Sequence, residues 1–205
     1  MIQEIKGLTR EQFWDRYAKK GNVGLVGGTF WVHQGTKRVQ ALITTDGKPT
    51  RWAHAILFMG EREDGYNWIS ESDMDLSGCR LINGAQENRI DKYHDTFRAQ
   101  DCAILDFHLS DQQTDDVVKT ALEMIARREH YSIIGAFGTF WAFLSGKLRH
   151  KNKFALKNAK ICSEFVQEAY RTIGIDFAEN VHQTSTGPDH IWQTTIPHDT
   201  YIYSR

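Results

Sequence analysis

The sequence predicts a single α+β domain in which an antiparallel β-sheet, or a partial barrel, packs against helices. Strand-like runs are concentrated between residues 24 and 108, and helical patterns stand before and after them. The chain has 205 residues and is 40% hydrophobic, which is enough for one sizeable core. The sequence contains no repeats, low-complexity segments or linker-like stretches, so one domain is predicted, with its core at residues 22–192.

Two capping boxes mark the beginnings of predicted helices. In a capping box, a Ser or Thr at the N-cap and a Glu or Gln three residues later bond each other's backbone N–H groups. Thr9–Gln12 opens a short helix that Gly21 ends, so residues 1–21 are interpreted as an N-terminal helical extension. Ser110–Gln113 opens a second helix, which is expected to run to about His130.

The strand-like runs share a high content of β-branched and aromatic residues and are bounded by Gly or by turn residues. The polar stretch from Gly60 to Gly65 suits the connection of a β-hairpin between two of these runs. Short connections of this kind predict antiparallel neighbours. The predicted strands cover residues 24–33, 38–45, 52–59, 66–71 and 102–108.

The second half of the chain is predicted to be mainly helical. A helical piece is expected at residues 133–146. A further helix carries Cys162, with Asn158 as its predicted N-cap and Gly174 as its stop. The tail, Trp192–Tyr203, is predicted to form a loop and a terminal strand.

Charge and cysteine content exclude several classes of function. The 25 Lys and Arg residues balance the 26 Asp and Glu residues, so no electrostatic pattern predicts nucleic acid or an anionic membrane as a partner. The three cysteines stand far apart and predict neither a disulfide framework nor a metal-binding CxxC pair. No signal peptide is recognisable, and the most apolar window, residues 133–144, is shorter than the ~20 residues that span a bilayer. A soluble, cytoplasmic protein is therefore expected.

Cys162 is the candidate nucleophile. Only a thiolate attacks efficiently, and the first turn of a helix favours the anion through its partial positive charge and its unpaired N–H groups. The same N–H groups can stabilise the oxyanion that forms when a thiolate attacks a carbonyl. The alternative is that Cys162 fills the core, as free cysteines usually do, and Cys79 and Cys102 are interpreted in that way.

His54 is the candidate general base, because a nucleophilic cysteine needs one and this histidine lies in an apolar strand. Burying an imidazole there costs free energy unless the ring finds a polar partner. Glu71 is the candidate partner, expected at the end of the next strand and opposite the beginning of the strand that carries His54. Such a carboxylate would fix the tautomer of the ring and stabilise its imidazolium form. The alternatives are a structural histidine and a solvated strand end.

The order of these parts resembles the circularly permuted papain-fold hydrolases. A strand with His54, a strand with Glu71 and a helix that begins Cys162-Ser163-Glu164-Phe165-Val166 are similar to the YiiX/YaeF-type amidases. These are relatives of the NlpC-type peptidases and of the lecithin:retinol acyltransferase-like enzymes. The resemblance implies a permuted papain-like (NlpC-type) fold, with Cys162 as nucleophile, His54 as general base and Glu71 as the orienting third member.

The predicted function is that of a thiol hydrolase that cleaves an amide or ester bond of a small peptide, an amide or another acyl-containing substrate. Tyr131 is a candidate second donor to the oxyanion, Ser163 a candidate donor near the helix terminus, and Trp52 a candidate edge of the substrate groove. For Ser163 the alternative is capping, and for Trp52 it is core packing.

Two other functions remain open at this point. A lipid acyltransferase or thioesterase of the lecithin:retinol acyltransferase-like branch could use the aromatic segment Phe137–Leu144 to line an acyl groove. A non-catalytic binding module could keep the fold without the chemistry. No cofactor is predicted, and no metal site, because the thiols and histidines show no paired ligand spacing.

Overall fold

The computed structural model describes residues 1–28, 51–77, 80–96, 98–128, 130–131, 159–178 and 186–204. Several sequence predictions lie outside the described residues. They are the strand at 38–45, the helix at 133–146 and the second half of the strand at 24–33.

Strands make up much of the described part of the chain. They are β1 (Ile2–Ile5), β2 (Val23–Gly27), β3 (His54–Glu61), β4 (Asn67–Ser77), β5 (Arg80–Arg89), β6 (Asp101–Asp106), β7 (His130–Tyr131), β8 (Ala159–Lys160) and β9 (Asp199–Tyr203). Seven of them form one sheet in the order β1-β9-β6-β2-β3-β4-β5. Neighbours in this sheet are antiparallel except β1 and β9, which run parallel, so the sheet is mixed. The short strands β7 and β8 form a separate parallel pair.

The helices are α1 (Arg10–Tyr17), a 3-10 helix (Ile90–Tyr93), α2 (Asp111–Ala126), α3 (Cys162–Arg171) and α4 (Pro188–Trp192). Both predicted capping boxes are present. The Thr9 hydroxyl accepts a hydrogen bond from the N–H of Gln12 at 3.1 Å, and the Ser110 hydroxyl accepts one from the N–H of Gln113 at 3.3 Å. Among the described residues, no helix is both long enough and apolar enough to cross a bilayer.

Side chains of β3 contribute to two hydrophobic clusters on opposite faces of the sheet. Ala55 and Leu57 belong to a cluster with side chains of α2 and α3, whereas Ile56 and Phe58 belong to one that includes Trp14 of α1. Successive side chains of a strand point to opposite faces. Helices therefore cover the sheet on both sides, with α2 and α3 on one face and α1 on the other.

The predicted α+β class is confirmed, and the sheet differs from the prediction in two respects. Strands β1 and β5 were not predicted, and the parallel pairing of β1 with β9 makes the sheet mixed rather than wholly antiparallel. Strand β4 is also longer than the predicted run at 66–71. It stays extended because it pairs with β5 from Trp68 opposite Arg89 to Ser77 opposite Arg80.

Candidate active site

Glu71 lies at the centre of a buried hydrogen-bond network. Its side chain has no exposed surface, and both of its oxygens accept hydrogen bonds. Oε2 lies 2.7 Å from His54 Nε2 and 2.6 Å from the Tyr93 hydroxyl. Oε1 lies 2.7 Å from Asn88 Nδ2 and 2.7 Å from Lys92 Nζ. A carboxylate removed from water requires such donors, because an unpaired charge in the protein interior is costly.

The predicted contact between Glu71 and His54 is present, but the predicted place of Glu71 at a strand end is wrong. Strand β4 continues beyond Glu71 because β5 pairs with it. In the register of β3 with β4, Leu57 pairs with Ser70. That is the last pair of this register, so Glu71 and His54 lie beyond it and meet through their side chains.

His54 is the first residue of β3 and is 5% exposed. Its backbone is held by β2, in which Val26 is its partner. Glu71 occupies Nε2, so Nδ1 is the ring nitrogen that remains for another partner. Cys162 is near enough to act on the pKa of His54.

Burial and charge act in opposite directions on the pKa of His54. Burial lowers the pKa, but the negative charge of the Cys162 thiolate and the hydrogen bonds with Cys162 and Glu71 raise it. The second group of effects prevails, so the pKa of His54 lies well above its ordinary value of 6.5. An imidazolium at this position is therefore favoured over neutral imidazole.

The other ionisable groups of the network keep fixed charges near neutral pH. Burial raises the pKa of Glu71, but the Lys92 ammonium and His54 outweigh it and hold that pKa well below its usual range. Burial lowers the pKa of Lys92, but the charges of Glu71 and Asp73 raise it above its usual range. Burial and the charge of Glu71 raise the pKa of Tyr93, which remains a protonated donor.

Cys162 is the first residue of α3, and Ile161 is the N-cap. The prediction that Asn158 caps this helix is therefore wrong, while the predicted position of Cys162 in the first turn is confirmed. The reason is that Ala159–Lys160 pair with His130–Tyr131, which keeps the backbone extended almost up to the cysteine. The first N–H groups of a helix have no intrahelical acceptor, so this thiol lies where an anion is favoured.

The secondary candidates have structural contacts of their own. The Ser163 hydroxyl is fully buried and donates to the backbone oxygen of Thr186 at 2.6 Å, so it ties the beginning of α3 to the segment before α4. Trp52 is 1% exposed and packs against Trp192 with ring centroids 4.9 Å apart, which is the environment of a core residue rather than of a groove edge. The backbone of Tyr131 lies in β7, but its side chain is outside the described part of the structure.

Sequence reasoning missed three of the residues that contact Glu71: Asn88, Lys92 and Tyr93. Asn88 lies near the end of β5, and the other two lie in the 3-10 helix that follows it. Their contact with Glu71 depends on the pairing of β4 with β5, in which Glu71 is opposite Gln86. Because β5 was not predicted, no local signal marked these residues.

One group of possible metal-binding side chains occurs among the described residues. Single ligand atoms of His54, Glu71 and Asp73 lie within 4.8 Å of one another. Lys92 Nζ already bridges the two carboxylates, at 2.7 Å from Glu71 Oε1 and 2.8 Å from Asp73 Oδ2. A metal ion would have to displace this ammonium, because an ammonium that stayed in place would repel the ion. The residues therefore fit a metal poorly, and we do not identify them as metal ligands.

Comparison with known proteins reveals a likeness of fold. No protein-family model matches the chain, and no curated protein matches it in sequence. The fold is similar to that in the crystal structure of the metalloprotein YiiX from Escherichia coli O157:H7, with a TM-score of 0.54 and 10% sequence identity. The match covers 89% of this chain and 95% of that chain. The predicted resemblance to YiiX-type proteins is thus confirmed at the level of the fold.

Proposed function

We propose that this protein is a cysteine hydrolase that cleaves an amide or ester bond through an acyl-enzyme. Cys162 is the nucleophile, His54 the general base and Glu71 the residue that orients the base. The observation that carries the proposal is the buried pair of His54 and Glu71, in which His54 Nε2 lies 2.7 Å from Glu71 Oε2, with Cys162 near enough to act on the pKa of His54. The similarity to the YiiX structure concerns the fold, and the proposal assumes that this fold can hold such a site.

The first step is proton transfer within the site. His54 takes the proton of the Cys162 thiol, which leaves a thiolate beside an imidazolium. The raised pKa of His54 favours this ion pair. The lowered pKa of Glu71 means that a carboxylate, rather than a neutral acid, faces the imidazolium at neutral pH.

Acyl transfer then proceeds in two stages. The thiolate attacks the carbonyl carbon and forms a C–S bond, while the N–H of Cys162 at the beginning of α3 stabilises the oxyanion, with Tyr131 as the candidate second donor. The C–N or C–O bond to the leaving group breaks, and His54 gives its proton to the amine or alcohol that departs. His54 next takes a proton from water, whose oxygen attacks the thioester; the C–S bond breaks and the acid is released.

The alternative functions have less support. The segment Phe137–Leu144, on which the lipid acyltransferase depends, lies outside the described residues. A non-catalytic module would gain nothing from an imidazole and a carboxylate that are buried together beside a thiol, since desolvating such groups is costly. Cys162 is a free thiol, and a reducing compartment such as the cytoplasm would keep the nucleophile available.

A metal-dependent function is the remaining candidate, because the similar YiiX structure is described as that of a metalloprotein. In this chain the Lys92 ammonium lies between the carboxylates of Glu71 and Asp73, where a metal would have to bind. We therefore assign no step to a metal.

Replacement of the nucleophile tests the proposal. A panel of small amides and esters should be hydrolysed by the wild-type protein, and Cys162→Ala should lower kcat by about three powers of ten or more, because a nucleophilic unit fails when one member is removed. The measurement is release of the amine or alcohol over time. Cys102→Ser is the matched control, since Cys102 is a second cysteine, buried in β6, and the variant should keep activity.

Two results would contradict the assignment. Hydrolysis that persists in Cys162→Ala would exclude this thiol as the nucleophile. A trapped acyl group found on a residue other than Cys162, by mass spectrometry of protein quenched during turnover, would exclude it as well.

A further inference from the structure

Lys92 is a nearly buried lysine without a role in the steps above. Its side chain is 10% exposed and makes two short ion pairs, at 2.7 Å to Glu71 Oε1 and at 2.8 Å to Asp73 Oδ2. Burying an ammonium costs free energy unless the group is paired and hydrogen-bonded, and a surface lysine would avoid that cost. The burial of Lys92 therefore needs an explanation, and its contacts with Glu71 and Asp73 are where we look for it.

We propose that Lys92 is a positioning residue: its ammonium holds Glu71 ionised and turned so that Oε2 serves His54, and the reactivity of Cys162 depends on it. This inference rests on the proposed function. It extends the Cys162–His54–Glu71 series by one residue, which acts through Glu71 and does not touch the substrate.

The two oxygens of the Glu71 carboxylate have different partners, which supports separate roles for them: one oxygen anchors the side chain and the other faces His54. Lys92 and Asn88 bind Oε1, while His54 and Tyr93 bind Oε2. A carboxylate that is anchored through one oxygen cannot rotate without breaking those bonds, so the other oxygen stays directed at the imidazole. Tyr93 is next to Lys92 in the chain, and the 3-10 helix Ile90–Tyr93 delivers both donors to the same carboxylate.

The charges around the site explain why a cation is needed. Facing Glu71 and His54 are Asp73 from β4, Tyr93 from the 3-10 helix and the Cys162 thiolate from α3. Asp73 and a thiolate are both negative, so without Lys92 the buried carboxylate would have imidazolium as its one cationic partner in this set. Protonation of Glu71 would then become easier as the pH falls, and a neutral Glu71 stabilises imidazolium less.

The experiment measures thiol reactivity, which does not require a known substrate. Cys162 is alkylated with iodoacetamide from about pH 5 to about pH 9, and the rate is read by mass spectrometry of the peptide that contains it. Cys102 is the internal reference because it is fully buried in β6 and its thiol donates to the backbone oxygen of Ala99. Lys92→Met is compared with the wild type, with the conservative variant Lys92→Arg and with Glu71→Gln.

The pH profile is the alkylation rate of Cys162 plotted against pH, and its acid limb is the part where the rate rises with pH. In Lys92→Met we expect this limb to move to higher pH by about one unit, which is about a tenfold loss of rate at a given pH on the limb. Lys92→Arg should restore the wild-type limb because it restores the cation. The double variant Lys92→Met/Asp73→Asn removes a cation together with an anion, so it guards against unfolding by unpaired charge. Its reference is Asp73→Asn alone, which already lacks the negative charge, and relative to that reference it should show a shift in the same direction.

The possible failures can be told apart. If Lys92→Met keeps the wild-type profile while Glu71→Gln alters it, the role of Lys92 is overturned and the proposed function stands. If Lys92→Met does not fold, the same conclusion follows when the double variant and Asp73→Asn have the same profile. A wild-type Cys162 that reacts no faster than Cys102 at any pH would overturn the proposed function, and the role of Lys92 with it.

Discussion

At the scale of single residues, Glu71 illustrates how a buried charge is stabilised. Its oxygens face donors from β3, from β5 and from the 3-10 helix, so no polar atom of the carboxylate lacks a partner. Truncating one member of a buried charge network leaves the others unpaired, which is more costly than the pairing is favourable. The side chain is thus important for stability as well as for the proposed chemistry.

Glu71→Gln should therefore destabilise the protein in a pH-dependent way. At pH 7 we expect the free energy of unfolding to fall by about 3 kcal/mol, because Lys92 and His54 lose their anionic partner. The pKa of Glu71 is lowered from its ordinary value of 4.5 by folding, so its contribution is present above that pH and is lost as the pH falls towards the folded-state pKa. The difference between wild type and variant should shrink below about pH 4.5 in urea titrations.

The matched control for this variant is Glu61→Gln. Glu61 ends β3 and is exposed, so the same chemical change there should alter the free energy of unfolding by less than about 0.5 kcal/mol. A difference between wild type and Glu71→Gln that stays constant from neutral to acid pH would contradict the proposed ionisation of Glu71.

At the scale of elements, β2 shows how closely the strands under the site are packed. Its backbone is the partner of β3, the strand that begins with His54, and every residue of β2 is buried. A Cβ at Gly24 would lie 2.6 Å from Ile56 Cγ1 and 3.0 Å from Phe58 Cε2. Contacts of 2.6 Å are closer than van der Waals packing allows, so Gly24 is required by the close approach of two β3 side chains.

Gly24→Ala should cost about 1–3 kcal/mol of stability through overpacking. A double-mutant cycle with Ile56→Ala identifies the cause: Ile56→Ala alone leaves a cavity and is destabilising, but the double variant should cost less than the sum of the two, because the added methyl enters the vacated space. Thermal or urea unfolding of the four proteins provides the energies. Strict additivity would show that the clash with Ile56 is not the reason for the glycine.

Features that depend on a local sequence pattern could be predicted, whereas features that depend on pairing between distant segments could not. The helices with capping boxes and the strand that carries His54 have local patterns, and so does the helix beginning with Cys162. Strand β5 has a weaker pattern, with Gly84 at φ 121° in its interior and mostly polar residues after it, and its identity as a strand depends on pairing with β4. The contacts of Lys92 and Tyr93 with Glu71 depend in turn on that pairing, so they could not be predicted from the sequence.

At the scale of the whole molecule, the two ends of the chain complete the sheet. Strand β9 lies between β1 and β6, and Phe13 and Trp14 of α1 are fully buried in the cluster that covers one face of the sheet. From the sequence alone, residues 1–21 are predicted to be an extension and residues 22–192 the core. Burial of two large aromatic side chains contributes roughly 1.5–3 kcal/mol each, which is a large share of the stability of a single domain.

A protein that begins at residue 22 should therefore fail to unfold cooperatively, because it lacks Phe13 and Trp14. A second truncation that removes only residues 1–6 is the control: it deletes β1, in which Ile2 is exposed, and should retain a cooperative transition with a lowered Tm. Calorimetry or circular dichroism on heating distinguishes the two. A cooperative transition at the full-length Tm in the longer truncation would show that residues 1–21 are dispensable.

The place of β9 has a consequence for the nascent chain. The amine of Met1 contacts the carboxylate of Asp199, which is 198 positions away. At a synthesis rate of about 5–20 residues per second, β1 waits on the order of 10–40 s before the strand beside it leaves the ribosome. Until β9 is made, β6 also offers a bare edge to any other extended polypeptide nearby, so the growing chain stays open to aberrant association until β9 has been synthesised.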